Sequence, residues 1–231
     1  MKESKYKDRY KRSIGTLSKQ EHMRLVDSRV CVVGCGGLGG YVIELLGRMG
    51  VGELTAIDYD TFEEHNLNRQ LLSIENNIGM SKARAAVERM RDVNSEVEVR
   101  AVEAALDECN SLEMVKGHDV VVDALDDIGT RMLLQKSCEK VGVPLVHGAI
   151  AGWYGQVCTI FPGDRTLERI YSAPDAEGIE KETGNPSFSP AHIASLQVSE
   201  AIKVLTGKGE LLRNKVLFID MLSNEYEVIE F

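Results

Sequence analysis

Three features of this 231-residue chain have the residue types and spacing that chemistry needs. The first is Gly34-Cys35-Gly36-Gly37-Leu38-Gly39, which follows one apolar run and opens another of helical period. This is the context of a G-x-G-x-x-G nucleotide fingerprint. Gly34, Gly36, Gly37 and Gly39 let the backbone approach a ligand closely, and a helix start offers free N–H groups and partial positive charge to phosphate. The second is Asp58, which ends the next apolar run, where a carboxylate accepts hydrogen bonds from ribose hydroxyls. These two features indicate a nucleotide and leave nicotinamide, flavin and ATP unseparated. The third is a scattered set: Asn66 and Arg69 in Asn66-Leu67-Asn68-Arg69-Gln70, Lys82 in Gly79-Met80-Ser81-Lys82, and Asp126 in Asp123-Ala124-Leu125-Asp126-Asp127. An arginine, a lysine and a carboxylate suit a triphosphate and Mg²⁺, because the cations neutralise phosphate charge and Asp126 holds the metal. Hydride transfer needs no such clamp. Spacing alone also allows Arg69 and Lys82 to be surface charges. Asp127 either alters metal binding or caps the helix that follows it.

These residues are useful only if elements bring them together, and the first half of the chain alternates strand and helix patterns. Arg29–Val33, Glu53–Ile57, Val97–Val102 and Asp119–Val122 read as strands, and Pro144–His147 begins another. Leu38–Met49, Ser81–Met90 and Thr130–Lys140 read as the helices between them. The expected fold is α/β, Rossmann-like, with a mainly parallel sheet. Asp58, Lys82 and Asp126 then fall at or near the carboxyl ends of strands, where ligands of such sheets bind. Beyond Gly155–Phe161, another strand, lies a polar stretch from Pro162 to Ser187. It is too long for an ordinary connection and reads as a functional crossover loop. Ser189-Pro190 suggests a helix start, with Ser189 as its cap, and Gly207 its stop. Val216–Asp220 and Glu225–Ile229 form a closing antiparallel hairpin around Ser223-Asn224. The expected organisation is one domain over 1–231, with an N-terminal helical arm at 1–27 and a crossover loop at 162–188.

Composition narrows the partners. A net charge of −9 argues against a nucleic-acid footprint, and the basic residues of the first segment, Arg12 among them, read by composition as a solvated terminus. No apolar run is long enough for a membrane helix, and the charged N-terminus lacks a secretory signal, so cytoplasmic residence is expected. The five cysteines, Cys31, Cys35, Cys109, Cys138 and Cys158, form no Cys-x-x-Cys pair, and no zinc is expected.

Taken together and in order, RYKRSI, VVGCGGLGG, GVGELTAIDYD, NLNRQ, IGMSK and the Asp123–Asp127 segment resemble the ThiF/MoeB/HesA family, relatives of the ubiquitin-activating enzymes, from about Arg9 to the C-terminus. The resemblance implies ATP-dependent adenylylation of the C-terminal carboxylate of a small ubiquitin-like sulfur-carrier protein ending in Gly-Gly. It implies that Asp58 holds ribose, that Asn66, Arg69 and Lys82 hold phosphates, and that Asp126 binds Mg²⁺. It also implies that Arg12 reaches the γ-phosphate from the other subunit of a homodimer. The chain departs from the family's zinc-binding Cys-x-x-Cys pairs, and it has no cysteine between Thr159 and Phe231, so a separate sulfur donor is expected. Three rival readings remain: an ATP-dependent tRNA-modifying dehydratase of the same superfamily, an NAD- or FAD-dependent oxidoreductase, and a scaffold that binds a carrier without turnover.

Overall fold

Strand β1 (Arg29–Val33) shows how the sheet comes to lie at the centre. Val30 and Val32 enter one apolar cluster and Cys31 and Val33 enter another, on the opposite face. A strand buried on both faces is a continuous apolar run instead of an alternating one. Strand β4 (Val120–Asp123) repeats the arrangement, with Val120 and Val122 on one side and Val121 on the other. In the computed structural model, which describes residues 8–171 and 183–231, eight strands form a sheet in the order β3-β2-β1-β4-β5-β6-β7-β8. Here β2 is Glu53–Ile57, β3 Glu98–Val102, β5 Leu145–Ala151, β6 Tyr154–Ile160, β7 Lys215–Asp220 and β8 Glu225–Glu230. The strands from β3 to β5 pair in parallel, and β6, β7 and β8 extend the sheet antiparallel. The α/β reading with antiparallel C-terminal strands agrees with this.

Helices cover both faces. On one lie α1 (Lys19–Val26), α2 (Gly37–Met49), α3 (Lys82–Asn94) and α7 (Phe188–Thr206), which contribute Leu25, Leu46, Met90 and Ala201 to one core. On the other lie α4 (Ser111–Val115), α5 (Ile128–Val141) and α6 (Thr166–Ile170), which contribute Val115, Leu134 and Leu167. The chain winds outward from β1 through β2 to β3, then returns to the other side of β1 as β4. That reversal opens a crevice at the carboxyl ends of β1 and β4.

Two local expectations change. The stretch 162–188 contains helix α6, whose Leu167 is fully buried, so a single apolar anchor makes structure where a polar composition reads as loop. Residues 172–182 of that stretch lie outside the described residues. Ser189 does not cap α7. The helix begins two residues earlier than that, at Phe188, with Ser187 at the cap position, and the buried Ser189 hydroxyl donates to the carbonyl of Gly152 at 2.5 Å.

At the N-terminus, Asp8–Ser13 forms a 3-10 turn whose Tyr10 is buried. Asn94 Nδ2 donates to the Tyr10 hydroxyl at 2.8 Å, and the ring packs so closely on Gly50 that a Cβ there would lie 2.6 Å from it. Gly50 caps the C-terminal end of α2. The arm is therefore pinned at the end of α2 farthest from the glycine turn, roughly 20 Å away for 13 residues at the helical rise.

Candidate functional site

A cavity of about 350 Å³ opens at the crevice. Gly34, Gly36, Gly37, Asp58, Arg69, Lys82 and Asp126 all line it. The sequence positions that looked able to hold a nucleotide thus converge from β1, β2, α3 and the β4–α5 turn.

The glycines divide into two kinds. Gly34 has φ +94°, and a Cβ there would sit 2.5 Å from the carbonyl oxygen of Ala124, so the turn presses directly on the end of β4. A Cβ on Gly39 would lie 1.8 Å from the Gly34 carbonyl oxygen. Gly39 packs the helix onto the turn and is not among the cavity-lining residues. At Gly36 and Gly37, by contrast, the nearest atoms to a Cβ are 3.5 Å away, so their missing side chains leave room at the cavity wall. Gly36 is the N-cap of α2 and brings no side-chain cap, leaving the first turn's N–H groups to a ligand.

Asp58 is tied to this turn. Its Oδ2 accepts from the Cys35 amide at 2.7 Å and its Oδ1 from the Asp60 amide at 2.8 Å. Burial raises its pKa above the ordinary aspartate value, against the pull of those two amides and of Lys82. Lys82, buried at the start of α3, is clasped at both ends by Asp60: its amide donates to the Asp60 carbonyl at 3.0 Å and its Nζ to Asp60 Oδ2 at 2.9 Å. Ser81 caps the helix that carries it, accepting from the Arg84 amide. Arg69 donates through Nη1 to the His65 carbonyl and to Asn68 Oδ1, at 3.0 and 2.8 Å. Asp126 is exposed at the cavity. Asp127 caps α5: its Oδ2 accepts from the amide and the hydroxyl of Thr130, both at 2.6 Å, which lowers its pKa.

Besides Gly39, two of the expected site residues stand elsewhere. Asn66 is buried behind the wall, where its Oδ1 accepts from the Glu63 amide at 3.0 Å. Arg12 is exposed on the pinned N-terminal turn and is not among the residues lining this chain's cavity. Conversely, Asp60, Gln70, Arg131 and Asn185 line the cavity without standing out in the sequence. Gln70 offered a signal, being the last residue of the NLNRQ segment. Arg131 offered none beyond its place one turn past Asp127. Among the described residues no group of three His, Cys, Asp or Glu side chains could hold a metal ion, and no helix is long and apolar enough to cross a membrane.

Comparison with known proteins gives the chain's relatives. The profile described as "ThiF family" matches residues 10–231. The "SAMP-activating enzyme E1" of Haloferax volcanii is 38% identical over 229 residues, which span 97% of this chain and 85% of that protein. The "Molybdopterin-synthase adenylyltransferase" of Escherichia coli is 34% identical over 208 residues, 87% of this chain and 82% of that one. The "Adenylyltransferase and sulfurtransferase MOCS3-1" of Zea mays is 35% identical over 211 residues, but this chain spans only 45% of its length. Among solved structures, that of E. coli MccB with ATP superposes with a TM-score of 0.82 over 97% of this chain and 72% of that one; at 22% identity the likeness is one of fold.

Proposed function

The chain belongs to the ThiF family and is an adenylyltransferase, and we propose that it uses ATP to activate the C-terminal carboxylate of a small ubiquitin-like sulfur-carrier protein ending in Gly-Gly. The observation that carries this reading is the meeting of Arg69, Lys82 and Asp126 with the glycine turn around one cavity. The names of the haloarchaeal and bacterial relatives support the kind of carboxylate partner.

The donor set fits a magnesium-bound triphosphate. Gly36 and Gly37 leave space at a helix N-terminus, and Arg69, Lys82 and the exposed carboxylate of Asp126 line the same cavity. One carboxylate suffices for Mg²⁺, which commonly takes its remaining ligands from phosphate and water. Asp58 would hold ribose, Arg69 and Lys82 the phosphates, and Asp126 the metal. Mg²⁺, when bound, neutralises charge that develops on the phosphate oxygens.

In the reaction, an oxygen of the carrier's carboxylate attacks the α-phosphorus. The bond from that phosphorus to the bridging oxygen breaks, and pyrophosphate leaves with the electron pair. The products are an acyl-adenylate and pyrophosphate. The nucleophile is already an anion, so no general base is needed. Arg69 and Lys82 stabilise the transferring group from fixed positions. The resemblance of RYKR to the family implies that Arg12, exposed on the N-terminal turn and not among the residues lining its own cavity, serves the site of a second copy, so that the active species is a homodimer. An apolar groove between α2 and α7, lined by Leu17, Leu45, Met49, Val198 and Ile202 beside the N-terminal arm, supports pairing on that face. Cys31, Cys35, Cys138 and Cys158 are buried, and burial raises their thiol pKa values, while the exposed Cys109 is not among the residues lining the cavity, so a separate donor brings sulfur to the adenylate.

Calorimetric titration tests the nucleotide. ATP with Mg²⁺ should bind and NAD should not; preferential NAD binding would overturn the reading. Elemental analysis of purified protein should find no stoichiometric zinc. About one zinc per chain would mean a site these residues do not reveal.

A further inference from the structure

A buried chain of hydrogen bonds, which the proposed chemistry does not use, supports one wall of the cavity. Asp123, at the end of β4, and His147, in β5, are both fully buried, with His147 Nδ1 2.7 Å from Asp123 Oδ2. A carboxylate only accepts, so Nδ1 carries the hydrogen and Nε2 keeps a lone pair. The Tyr171 hydroxyl, just past α6, lies 3.2 Å from that Nε2 and donates to it. The Tyr171 oxygen then accepts on its other side, from Gln156 Nε2 at 2.8 Å and from Arg131 Nη1 at 3.0 Å. Arg131 spends the rest of its fork on one atom: Nε and Nη2 both donate to the Leu125 carbonyl, at 3.2 and 2.6 Å. Leu125 immediately precedes Asp126. Burial lowers the His147 pKa and pushes the Tyr171 hydroxyl up to about 12, so around neutrality the donors and acceptors keep these roles.

We propose that Tyr171 is a positioning residue of the adenylylation site: its hydroxyl fixes the Arg131 guanidinium against the Leu125 carbonyl and so holds the turn that presents Asp126 to the cavity. This rests on the adenylyltransferase reading above. The physical reason is the cost of a buried cation with an unmet donor. Arg131 is 6% exposed, and its Nε is 4.0 Å from Asp123 Oδ2. Without the hydroxyl, Nη1 loses this acceptor, and the planar fork turns to find another. Both of its other bonds go to Leu125, so turning the fork releases the carbonyl next to Asp126. The Asp123–His147 pair fixes which way the tyrosine proton points, and thereby leaves the oxygen's lone pairs for Arg131 and Gln156.

Tyr171→Phe keeps the ring and removes only the hydroxyl. In pyrophosphate exchange with ATP, Mg²⁺ and a Gly-Gly carrier, kcat should fall about 10- to 100-fold, the range for groups that orient a metal ligand. The apparent Mg²⁺ requirement should rise while KM for the carrier holds, with the melting temperature lower only by the few degrees that one unmet donor costs. Arg131→Gln should fall by a similar factor, and the double variant should be no worse than the poorer single one, because both break one linkage. Calorimetric ATP affinity across a Mg²⁺ series gives the same comparison without turnover: Tyr171→Phe should need more Mg²⁺ to reach its full affinity. Tyr171→Phe with wild-type kcat and Mg²⁺ dependence, or losses that multiply in the double variant, would overturn the proposal. Wild-type protein that binds Mg²⁺-ATP but exchanges no pyrophosphate with any carrier would instead sink the functional reading, with the calorimetric comparison still deciding the role of Tyr171.

Discussion

A mixture of Arg12→Ala and Asp126→Ala protein should form adenylate where neither variant does alone. In a mixed dimer, the subunit that keeps Asp126 receives Arg12 from the subunit that lost its own Asp126. One of the two sites is then complete and the other lacks both residues. With random pairing, half the dimers are mixed and half their sites intact, so activity should return to about a quarter of wild type. Removing one charged transition-state contact commonly lowers the rate by roughly 10²–10³, so this recovery stands well clear of either variant alone. The expectation comes from the family resemblance of RYKR, and the N-terminal turn agrees with it: Tyr10 seats against Gly50, at the end of α2 remote from Gly36 and Gly37, and against Asn94. Adenylate formation by each variant and by their mixture is the measurement. Full activity in Arg12→Ala, or a mixture that stays inactive although mixed dimers form, would show that the two residues do not share a site across subunits.

Gly39→Ala should unfold the site, whereas Gly37→Ala should leave the fold intact and weaken only the ligand. A methyl on Gly39 would meet backbone, the Gly34 carbonyl oxygen at 1.8 Å, and neither side of that contact is a flexible side chain. The glycine turn must shift, at about 3 kcal/mol, the upper end of ordinary overpacking. For a chain of this size that is a fall of roughly 6–12 °C in melting temperature. ATP affinity should fall with it, because Gly34 holds the turn against Ala124. At Gly37 the nearest atom to a Cβ is 3.5 Å away, so Gly37→Ala should melt normally and lose ATP affinity alone. Thermal denaturation and ATP titration of the pair separate the two roles. A Gly39→Ala protein that melts like wild type would sink the argument.

The sheet was largely legible because β1 and β4 are apolar on both faces and the glycine turn marks where β1 ends. Their being neighbours was not, since the order β2-β1-β4 is set by long-range pairing that no local pattern encodes. Helix α6 was hidden by the polar residues around Leu167. The start of α7 was misplaced because Ser187 and Ser189 are equally good caps by type; neither side chain caps the helix, and the Ser189 hydroxyl goes to the Gly152 carbonyl instead. In the candidate site, charges at strand ends were visible: Arg69, Lys82 and Asp126 line one cavity. Asp127 as the cap of α5 was one of the two readings its place allowed. What sequence could not supply is the company those charges keep. Asp60 beside Lys82, and Arg131 beneath Leu125, depend on side-chain directions across elements far apart in the chain. Asn66 sits among recognisable neighbours, yet its side chain turns inward to the Glu63 amide.

The clasp between Lys82 and Asp60 has a consequence for product release. A buried lysine facing an open cavity with no counter-ion would hold any polyphosphate that entered, pyrophosphate included. Asp60 offers Nζ a resident anion 2.9 Å away, half-exposed and always present. In the proposed site a phosphate would share or compete for the lysine with that carboxylate, since the ammonium has three donors and Asp60 takes one. Affinity for the triphosphate would then be lower than the cation alone would give, and the leaving pyrophosphate would meet a competitor already in place. In Asp60→Asn the competition would become one-sided, with ATP held more tightly and inhibition by pyrophosphate deepened.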